Sequence, residues 1–139
     1  MSLPIITIDR VRIFPPRMTD FSRRFWRSLA VGTFETTRCE ACGLYSFPPK
    51  PFCPHCWSKQ IVWSLLSGQG RLYSQTVIHA APAAFMAEVP YRVGIVDLDE
   101  NVRVATRILA DEEPRLDGPV EIVGLKYLDG PLFAARPVK

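Results

Sequence analysis

Residues 38–57 read RCEACGLYSFPPKPFCPHCW and contain all four cysteines of the chain. The cysteines form two C-x-x-C pairs, Cys39 with Cys42 and Cys53 with Cys56, and ten residues separate the pairs. In each C-x-x-C turn, backbone amides can point at the thiolate sulfurs, and two such turns facing each other form a tetrahedral set of ligands. The spacing therefore predicts one metal site whose ligands all come from the protein.

Zinc is the metal that this ligand set favours. Four soft thiolates in a closed tetrahedral set suit zinc and leave no position for a catalytic water, so the predicted role is structural. Rubredoxin-type iron, a disulfide and unmetallated thiols are the alternatives. His55 lies between two of the cysteines, but four thiolates already complete the coordination shell. A segment of this size buries little apolar surface, so metal binding is expected to stabilise its fold.

The composition of the 139 residues, 47% hydrophobic and 22% charged, is that of one globular domain or of a small domain with a metal-stabilised module. Thirteen prolines favour short strands over long helices. No apolar run approaches the roughly 18–20 residues that cross a bilayer. The N-terminus lacks the pattern of a secretory signal, so we expect a cytoplasmic protein, in which cysteines more often bind metal than form disulfides.

The formal charge of +3 is unevenly distributed. Residues 1–38 contain seven arginines against three acidic residues, a local charge of +4, and the remainder has a charge of −1. Four thiolates with one divalent cation have a charge of −2, which lowers the total from +3 to +1. The overall charge therefore gives little support for nucleic-acid binding.

A single amphipathic helix is predicted over residues 20–30, with Thr19 as its N-cap and Gly32 as its stop. Its apolar stripe consists of Met18, Phe21, Phe25 and Leu29 at helical spacing. The opposite side contains Arg23, Arg24 and Arg27, with Asp20 one turn away for ion pairing.

Residues 62–139 predict strands separated by turns, so the fold class is mainly β. The first of five strands would combine Val62–Leu66 with Arg71–His79 and bend at a bulge near Gly68 and Gly70. Turns are expected at residues 99–101, 117–118 and 129–130. Five strands with one buried face indicate an OB-like barrel. The other four strands are Tyr91–Leu98, Val102–Leu109, Pro119–Tyr127 and Leu132–Arg136.

Five segments occur in a fixed order within residues 20–137: 25–29 (FWRSL), 38–56 (RCEACGLYSFPPKPFCPHC), 70–74 (GRLYS), 90–99 (PYRVGIVDLD) and 118–122 (GPVEI). In this order they resemble the DUF35 family. The resemblance implies an N-terminal arm and helix in residues 1–32, a rubredoxin-like zinc ribbon in 33–62 and a five-stranded OB-fold barrel in 63–139.

The resemblance also implies a function associated with acyl-CoA. DUF35 proteins act beside thiolases, thiolase-like aldolases or hotdog-fold enoyl-CoA hydratases, as non-catalytic subunits or fused domains in lipid, polyketide or steroid degradation and isoprenoid precursor synthesis. We therefore expect a partner enzyme of one of these classes and a CoA thioester as ligand.

The candidate ligand or partner residues each have a structural alternative. Arginine forks suit CoA phosphates, but Arg23, Arg24 and Arg27, with Arg38 and Lys50, could equally be a solvated charged surface. Phe25 and Trp26 could form a docking ridge or pack on their own domain. Phe85 and Met86, in an apolar loop, could close over a ligand or plug the barrel.

No catalytic residues are predicted. The chain lacks the G-x-S-x-G, P-loop, dinucleotide and H-E-x-x-H patterns. His79 has no suitable partner nearby in the sequence, so a thioester hydrolase is a weak alternative. The main alternative function is binding of single-stranded nucleic acid, for which zinc ribbons and OB barrels are also used. Self-association through the N-terminal helix is a further expectation.

Overall fold

The computed structural model of the chain describes residues 2–138. It contains a helix, α1, a short 3-10 helix over Ala83–Glu88, and strands that form two sheets. The strands are β1 (Ile5–Thr7), β2 (Phe34–Cys39), β3 (Tyr45–Ser46), β4 (Ile61–Leu66), β5 (Gln69–Ile78), β6 (Tyr91–Leu98), β7 (Arg103–Ile108), β8 (Pro119–Tyr127) and β9 (Gly130–Pro137), and α1 spans Arg23–Ala30.

Five of the strands close a barrel, as predicted. Strands β5, β6 and β7 pair antiparallel in sequence order, β7 pairs parallel with β9, and β8 joins β9 to β5. This is the connectivity of an OB fold. Buried and exposed side chains alternate along β7 and its preceding residue, which gives the barrel its buried face. Val102, Val104 and Ile108 are buried, whereas Arg103 and Ala105 are exposed. Strand β1 extends the sheet by pairing parallel with the second half of β8.

The prediction for the first barrel strand was wrong in two respects. Its first part, β4, pairs with β2 along its whole length and belongs to a separate three-stranded sheet, ordered β3-β2-β4. Gly68 has a positive φ of 75° and allows the chain to change direction between the two sheets. The irregularity in β5 lies between Leu72 and Ser74 instead of near Gly68 and Gly70. An apolar strand pattern reports burial but not which sheet supplies the neighbouring strand.

Helix α1 begins later than predicted and ends as predicted. Its N-cap is Ser22, whose N–H donates to the Thr19 hydroxyl at 3.1 Å, so Thr19 stabilises the turn before the helix. Gly32 has a φ of 89° and donates its N–H to the carbonyl of Leu29 at 3.0 Å. Phe25 and Leu29 are buried, whereas Met18, at the start of the expected stripe, is exposed.

Four phenylalanines join the helix, the small sheet and the barrel in one core. Phe25 of α1, Phe34 of β2, Phe47 after β3 and Phe133 of β9 have ring centroids 5.3 to 6.0 Å apart. Barrel residues such as Val96 belong to the same buried cluster. The parts therefore share an apolar core, and the division at residues 32 and 62 stays a prediction.

The N-terminal arm is attached to the turn between β8 and β9 by Arg12. Its backbone N–H donates to the Asp129 carboxylate at 2.9 Å, and its guanidinium donates to the carbonyls of Asp129 and Pro131. The bond from the Arg12 amide, together with the Arg12 charge, lowers the pKa of Asp129 below its usual value.

We expect Phe34→Ala to destabilise the helix, the small sheet and the barrel together, by about 3–5 kcal/mol, because the phenyl ring is removed from their shared core. Chemical denaturation followed by both far-UV circular dichroism and tryptophan fluorescence checks this. Two separate transitions, with only one shifted, would contradict a shared core.

Because the pKa of Asp129 is lowered on folding, its ionised form stabilises the attached arm at neutral pH, and this contribution disappears as the pH falls from about 5 towards 3. Asp129→Asn removes this pH dependence. Amide NMR of residues 9–13 measures the release of the arm, and an identical acid response in the wild type and the variant would contradict the prediction.

Candidate metal centre and ligand surface

The four cysteines, here called the cysteine cage, converge as the spacing predicted. The four Sγ atoms all lie within 4.8 Å of one another. The closest pairs cross between the two turns, with Cys39 and Cys56 sulfurs 3.6 Å apart and Cys42 and Cys53 sulfurs 3.5 Å apart. These distances are far longer than a disulfide bond of about 2.05 Å. Cys39 and Cys53 are buried, and Cys42 and Cys56 are exposed.

Backbone amides point at the sulfurs in both turns. The Cys42 N–H donates to the sulfur of Cys39, and the His55 N–H donates to that of Cys53, both at 3.4 Å. The bond from Cys42 lowers the pKa of Cys39 to about 6. At Cys53, burial opposes ionisation, but the amides of Cys56 and His55 outweigh it and lower the pKa.

The pKa values of the other two thiols, Cys42 and Cys56, are raised. A hydrogen bond from the Leu44 amide favours ionisation of Cys42, and one from the Ser58 amide favours that of Cys56. Partial desolvation and the neighbouring sulfurs nevertheless raise both pKa values, that of Cys56 to about 12. Thiolates this close repel one another, so full ionisation requires a cation between them. The donor set is sulfur only and closed, which fits Zn²⁺ bound by Cys39, Cys42, Cys53 and Cys56. His55 is exposed and is not part of the cage.

Two buried threonines of β2, which sequence reasoning missed, attach the cage region to its sheet. The Thr36 hydroxyl donates to the Ser46 carbonyl, and the Thr37 hydroxyl accepts the Lys50 N–H at 3.0 Å. The segment between the two cysteine turns is therefore attached to β2 by side chains as well as by the short β2–β3 pairing. Two consecutive threonines in a strand adjoining a proline-rich loop were the available sequence signal.

The fold and the cage define a class of protein, a zinc ribbon joined to an OB barrel. The family description "ChsH2, rubredoxin-like zinc ribbon domain" matches residues 26–62, and "ChsH2, C-terminal OB-fold domain" matches residues 63–125. The chain belongs to this family, DUF35, to which proteins of the ChsH2 type also belong.

Curated relatives of the chain include scaffold proteins and enzyme subunits. A "DUF35 domain-containing scaffold protein" of Methanocaldococcus jannaschii is 37% identical over 73 residues, 52% of each chain. A "Probable enoyl-CoA hydratase alpha subunit" of Thermomonospora curvata is 36% identical over 73% of this chain and 31% of that one. The "Benzoylsuccinyl-CoA thiolase subunit BbsA" of Thauera aromatica is 35% identical over 61% of this chain and 58% of that one. These matches span about a third to three fifths of the relatives' own lengths.

A solved structure is similar over most of this chain. The "Ltp2-ChsH2(DUF35) aldolase" superposes with a TM-score of 0.75 at 28% identity, covering 88% of this chain and 98% of that one. Within residues 2–138, no helix is long and apolar enough to span a membrane.

Three of the predicted ligand residues lie together. Arg23, Arg24 and Arg27 line a shallow depression of about 500 Å³ along α1. Its other lining residues are Asp20, Ser28, Val31, Thr33 and Glu35. Arg24 forms an ion pair with Glu35 at 3.2 Å and lies over the Trp63 ring at 5.3 Å. Arg23 is 3.5 Å from Asp20.

Arg38 and Lys50 lie outside this depression. Arg38 belongs to β2, between its pairing partners Tyr45 and Val62. The Lys50 ammonium donates to the Pro48 carbonyl at 3.4 Å. These two residues, which were grouped with the helix arginines from the sequence, therefore do not lie beside them in the fold.

The Phe25 side chain is 4% exposed and lies in the phenylalanine core, which favours packing on its own domain over a docking ridge, and a contact of Phe25 with a partner stays a prediction. Trp26 is partly buried and packs edge-on against Phe25, with ring centroids 4.9 Å apart. The helix stripe thus stabilises its own domain, which was the structural alternative.

Phe85 and Met86 lie in the 3-10 helix, outside the two buried apolar clusters of the described residues. Phe85 stacks on Phe14 of the N-terminal arm at 5.7 Å and lines a small cavity of about 150 Å³ between arm and barrel. Met86 is 55% exposed. Phe25 and Leu29 of α1 instead join the apolar cluster of the barrel.

We expect Cys53→Ser to lose the metal and to expose the backbone amides of residues 38–60 to hydrogen exchange, while the barrel stays protected. Structural zinc sites of this kind contribute about 10–16 kcal/mol of binding free energy in isolated peptides, so the loss is large. His55→Ala is the matched control and keeps both metal and protection. Protection of residues 38–60 that persists in Cys53→Ser would contradict the assignment.

Proposed function

We propose that this chain is a non-catalytic scaffold that binds an enzyme of the thiolase or enoyl-CoA hydratase class and assists it in handling a CoA thioester. The observation that most supports the proposal is the similarity of 88% of the chain to a solved structure, the "Ltp2-ChsH2(DUF35) aldolase". Relatives named as scaffold proteins, as a hydratase subunit and as a thiolase subunit agree with it.

The chemistry of the described residues supports a role without catalysis. The four cysteines converge on one cage and are therefore committed to metal. His79 is exposed to solvent just beyond the end of β5, and this exposure weakens the hydrolase alternative.

For the CoA thioester, we propose that the phosphates bind at the depression along α1. Arg23 and Arg27 are exposed there, and the hydroxyls of Ser28 and Thr33 lie beside them. Guanidinium groups bind phosphate oxygens through two parallel hydrogen bonds, which suits a diphosphate. Arg23 and Arg24 are expected to contribute less than Arg27, because Asp20 lies 3.5 Å from the Arg23 guanidinium and Glu35 accepts from that of Arg24. Contacts of Arg38, Lys50, Trp26, Phe85 and Met86 with ligand or partner stay predictions.

Two other expectations receive less support. Self-association through α1 would have to use its arginine face, since the apolar face is buried in the chain's own core, and like charges would then meet. A cytoplasmic location stays a prediction from the sequence.

Nucleic-acid binding is less favoured by the barrel surface. The arginines that lie over aromatic rings there are already paired, Arg103 with Asp97 at 2.7 Å and Arg107 with Glu88. These ion pairs reduce the positive charge of the surface, whereas single-stranded nucleic acid requires a cationic groove.

The test combines co-purification with calorimetry. We expect the chain to co-purify with a thiolase- or hydratase-class enzyme of its own organism, and the complex to bind CoA. Because a hydrogen bond to a charged group contributes about 1.5–3 kcal/mol, Arg27→Ala should weaken CoA binding at least about tenfold. Arg17→Ala, a change of an exposed arginine away from the depression, is the matched control.

Failure of the chain to co-purify with the enzyme would overturn the scaffold proposal. A complex that binds CoA equally well with Arg27→Ala would retain the scaffold role but remove the phosphate site from α1. A salt-dependent shift with single-stranded oligonucleotides, in place of an enzyme complex, would favour the alternative function.

A further inference from the structure

The two cysteine turns have equivalent backbone geometry, and this equivalence pairs Gly43 with Trp57. The Gly43 N–H donates to the Cys39 carbonyl at 2.8 Å, and the Trp57 N–H donates to the Cys53 carbonyl at 2.9 Å. One residue further along each turn, the Leu44 carbonyl accepts the Cys39 N–H and the Ser58 carbonyl accepts the Cys53 N–H. Each turn therefore needs the same backbone conformation directly after its second cysteine.

That conformation is left-handed at both positions, with φ of 79° at Gly43 and 65° at Trp57. Glycine adopts it freely, whereas a side chain with a Cβ atom is strained there. A tryptophan at such a position is a backbone outlier in a place where glycine satisfies the same hydrogen bonds. Outliers of this kind indicate that the side chain has a use beyond the fold.

The Trp57 side chain contributes little to the chain's own core. It is 74% exposed, and its indole stacks on the Phe52 ring, which is 37% exposed, at a centroid distance of 5.5 Å and an angle of 8°. Neither residue belongs to either of the buried apolar clusters. Stacking fixes the orientation of the indole while its outer face remains accessible to solvent.

The shape and charge around this Trp57–Phe52 pair restrict what it binds. The larger cavities of the described chain lie along the barrel and α1 and are lined by other residues, so the pair projects from the surface. Small ligands bind in concave sites, so this projecting pair is not suited to binding a small ligand. Residues 33–62 have three basic and two acidic side chains, and the metal-bound cage adds −2, so the surroundings do not attract nucleic acid.

A second copy of the chain is also a poor occupant. A twofold contact brings the same patch together with itself, and two projecting pairs do not complement each other. The pair exposes on the order of 250 Å², well below the roughly 800 Å² per partner of a stable interface, so it forms one part of a larger contact.

We propose that the Trp57–Phe52 pair is an anchor that inserts into an apolar pocket on a protein partner. Exposed tryptophans held in a fixed orientation are the residues that most often dominate such interfaces. The inference rests on the proposed function, which identifies the partner as the thiolase- or hydratase-class enzyme, and it adds the surface through which the zinc ribbon binds that enzyme.

Trp57→Gly tests the proposal, because it removes the indole and also the backbone strain. We expect the variant to retain its metal and to melt at the same or a higher temperature than the wild type, yet to bind the purified partner enzyme at least about tenfold more weakly in calorimetry. Phe52→Ala should weaken binding by a smaller factor. Leu116→Ala, which removes a comparably exposed apolar side chain from the β7–β8 connection, is the matched control and should bind normally.

The tryptophan emission of the wild type should shift to shorter wavelength in the complex, and Trp57→Phe should lose that shift. A complex that forms equally well with Trp57→Gly would overturn this inference and leave the scaffold proposal intact. Absence of any complex with the wild-type chain would overturn both. Quenching by oligonucleotides, or a dimer that Trp57→Gly dissociates, would assign the pair to a different occupant and also overturn the inference.

Discussion

Four thiol sulfurs within 4.8 Å of one another cannot all ionise unless a cation lies between them. The amides of the two turns favour ionisation of Cys39 and Cys53, and crowding among the sulfurs opposes it at Cys42 and Cys56. A divalent cation between the sulfurs removes this repulsion, and its bonds to the four thiolates then hold the segment together. The shape of residues 38–60 depends on this interaction, because the segment has little apolar core of its own.

The effect of the cage reaches the barrel through β2. The strand ends at Cys39, inside the cage, and begins at Phe34, inside the phenylalanine core. Since α1 and β9 contribute Phe25 and Phe133 to the same core, the ribbon is held against the barrel as a packed unit. A rigid ribbon of this kind can present side chains such as Trp57 in a fixed orientation, which is what a scaffold requires and a flexible loop does not supply.

The features that the sequence predicted correctly depend on local spacing. The two C-x-x-C turns, the glycine stop after α1 and the alternating pattern of the barrel strands are determined by residues within a few positions of one another. They were sufficient for the metal site and for the class of fold. The resemblance to DUF35 proteins added the expected partners.

The features that the sequence did not predict depend on contacts between distant residues. The β4 pattern is the same whether its neighbour is β2 or a barrel strand, and only the fold decides between them. Phe25 is buried by three other phenylalanines, of which Phe133 lies 108 positions further along the chain. The ion pair of Arg24 with Glu35 depends on how α1 lies against β2. The sequence did not indicate a role for Trp57, because its backbone strain appears only in the φ angle of the folded chain.

The most direct test of this account is the metal content of freshly purified, untagged protein, measured by elemental analysis together with a count of free thiols. The account predicts one zinc ion per chain and four thiols that react only after the metal is removed. A chain that contains no stoichiometric metal, with its cysteines joined in disulfides, would contradict it.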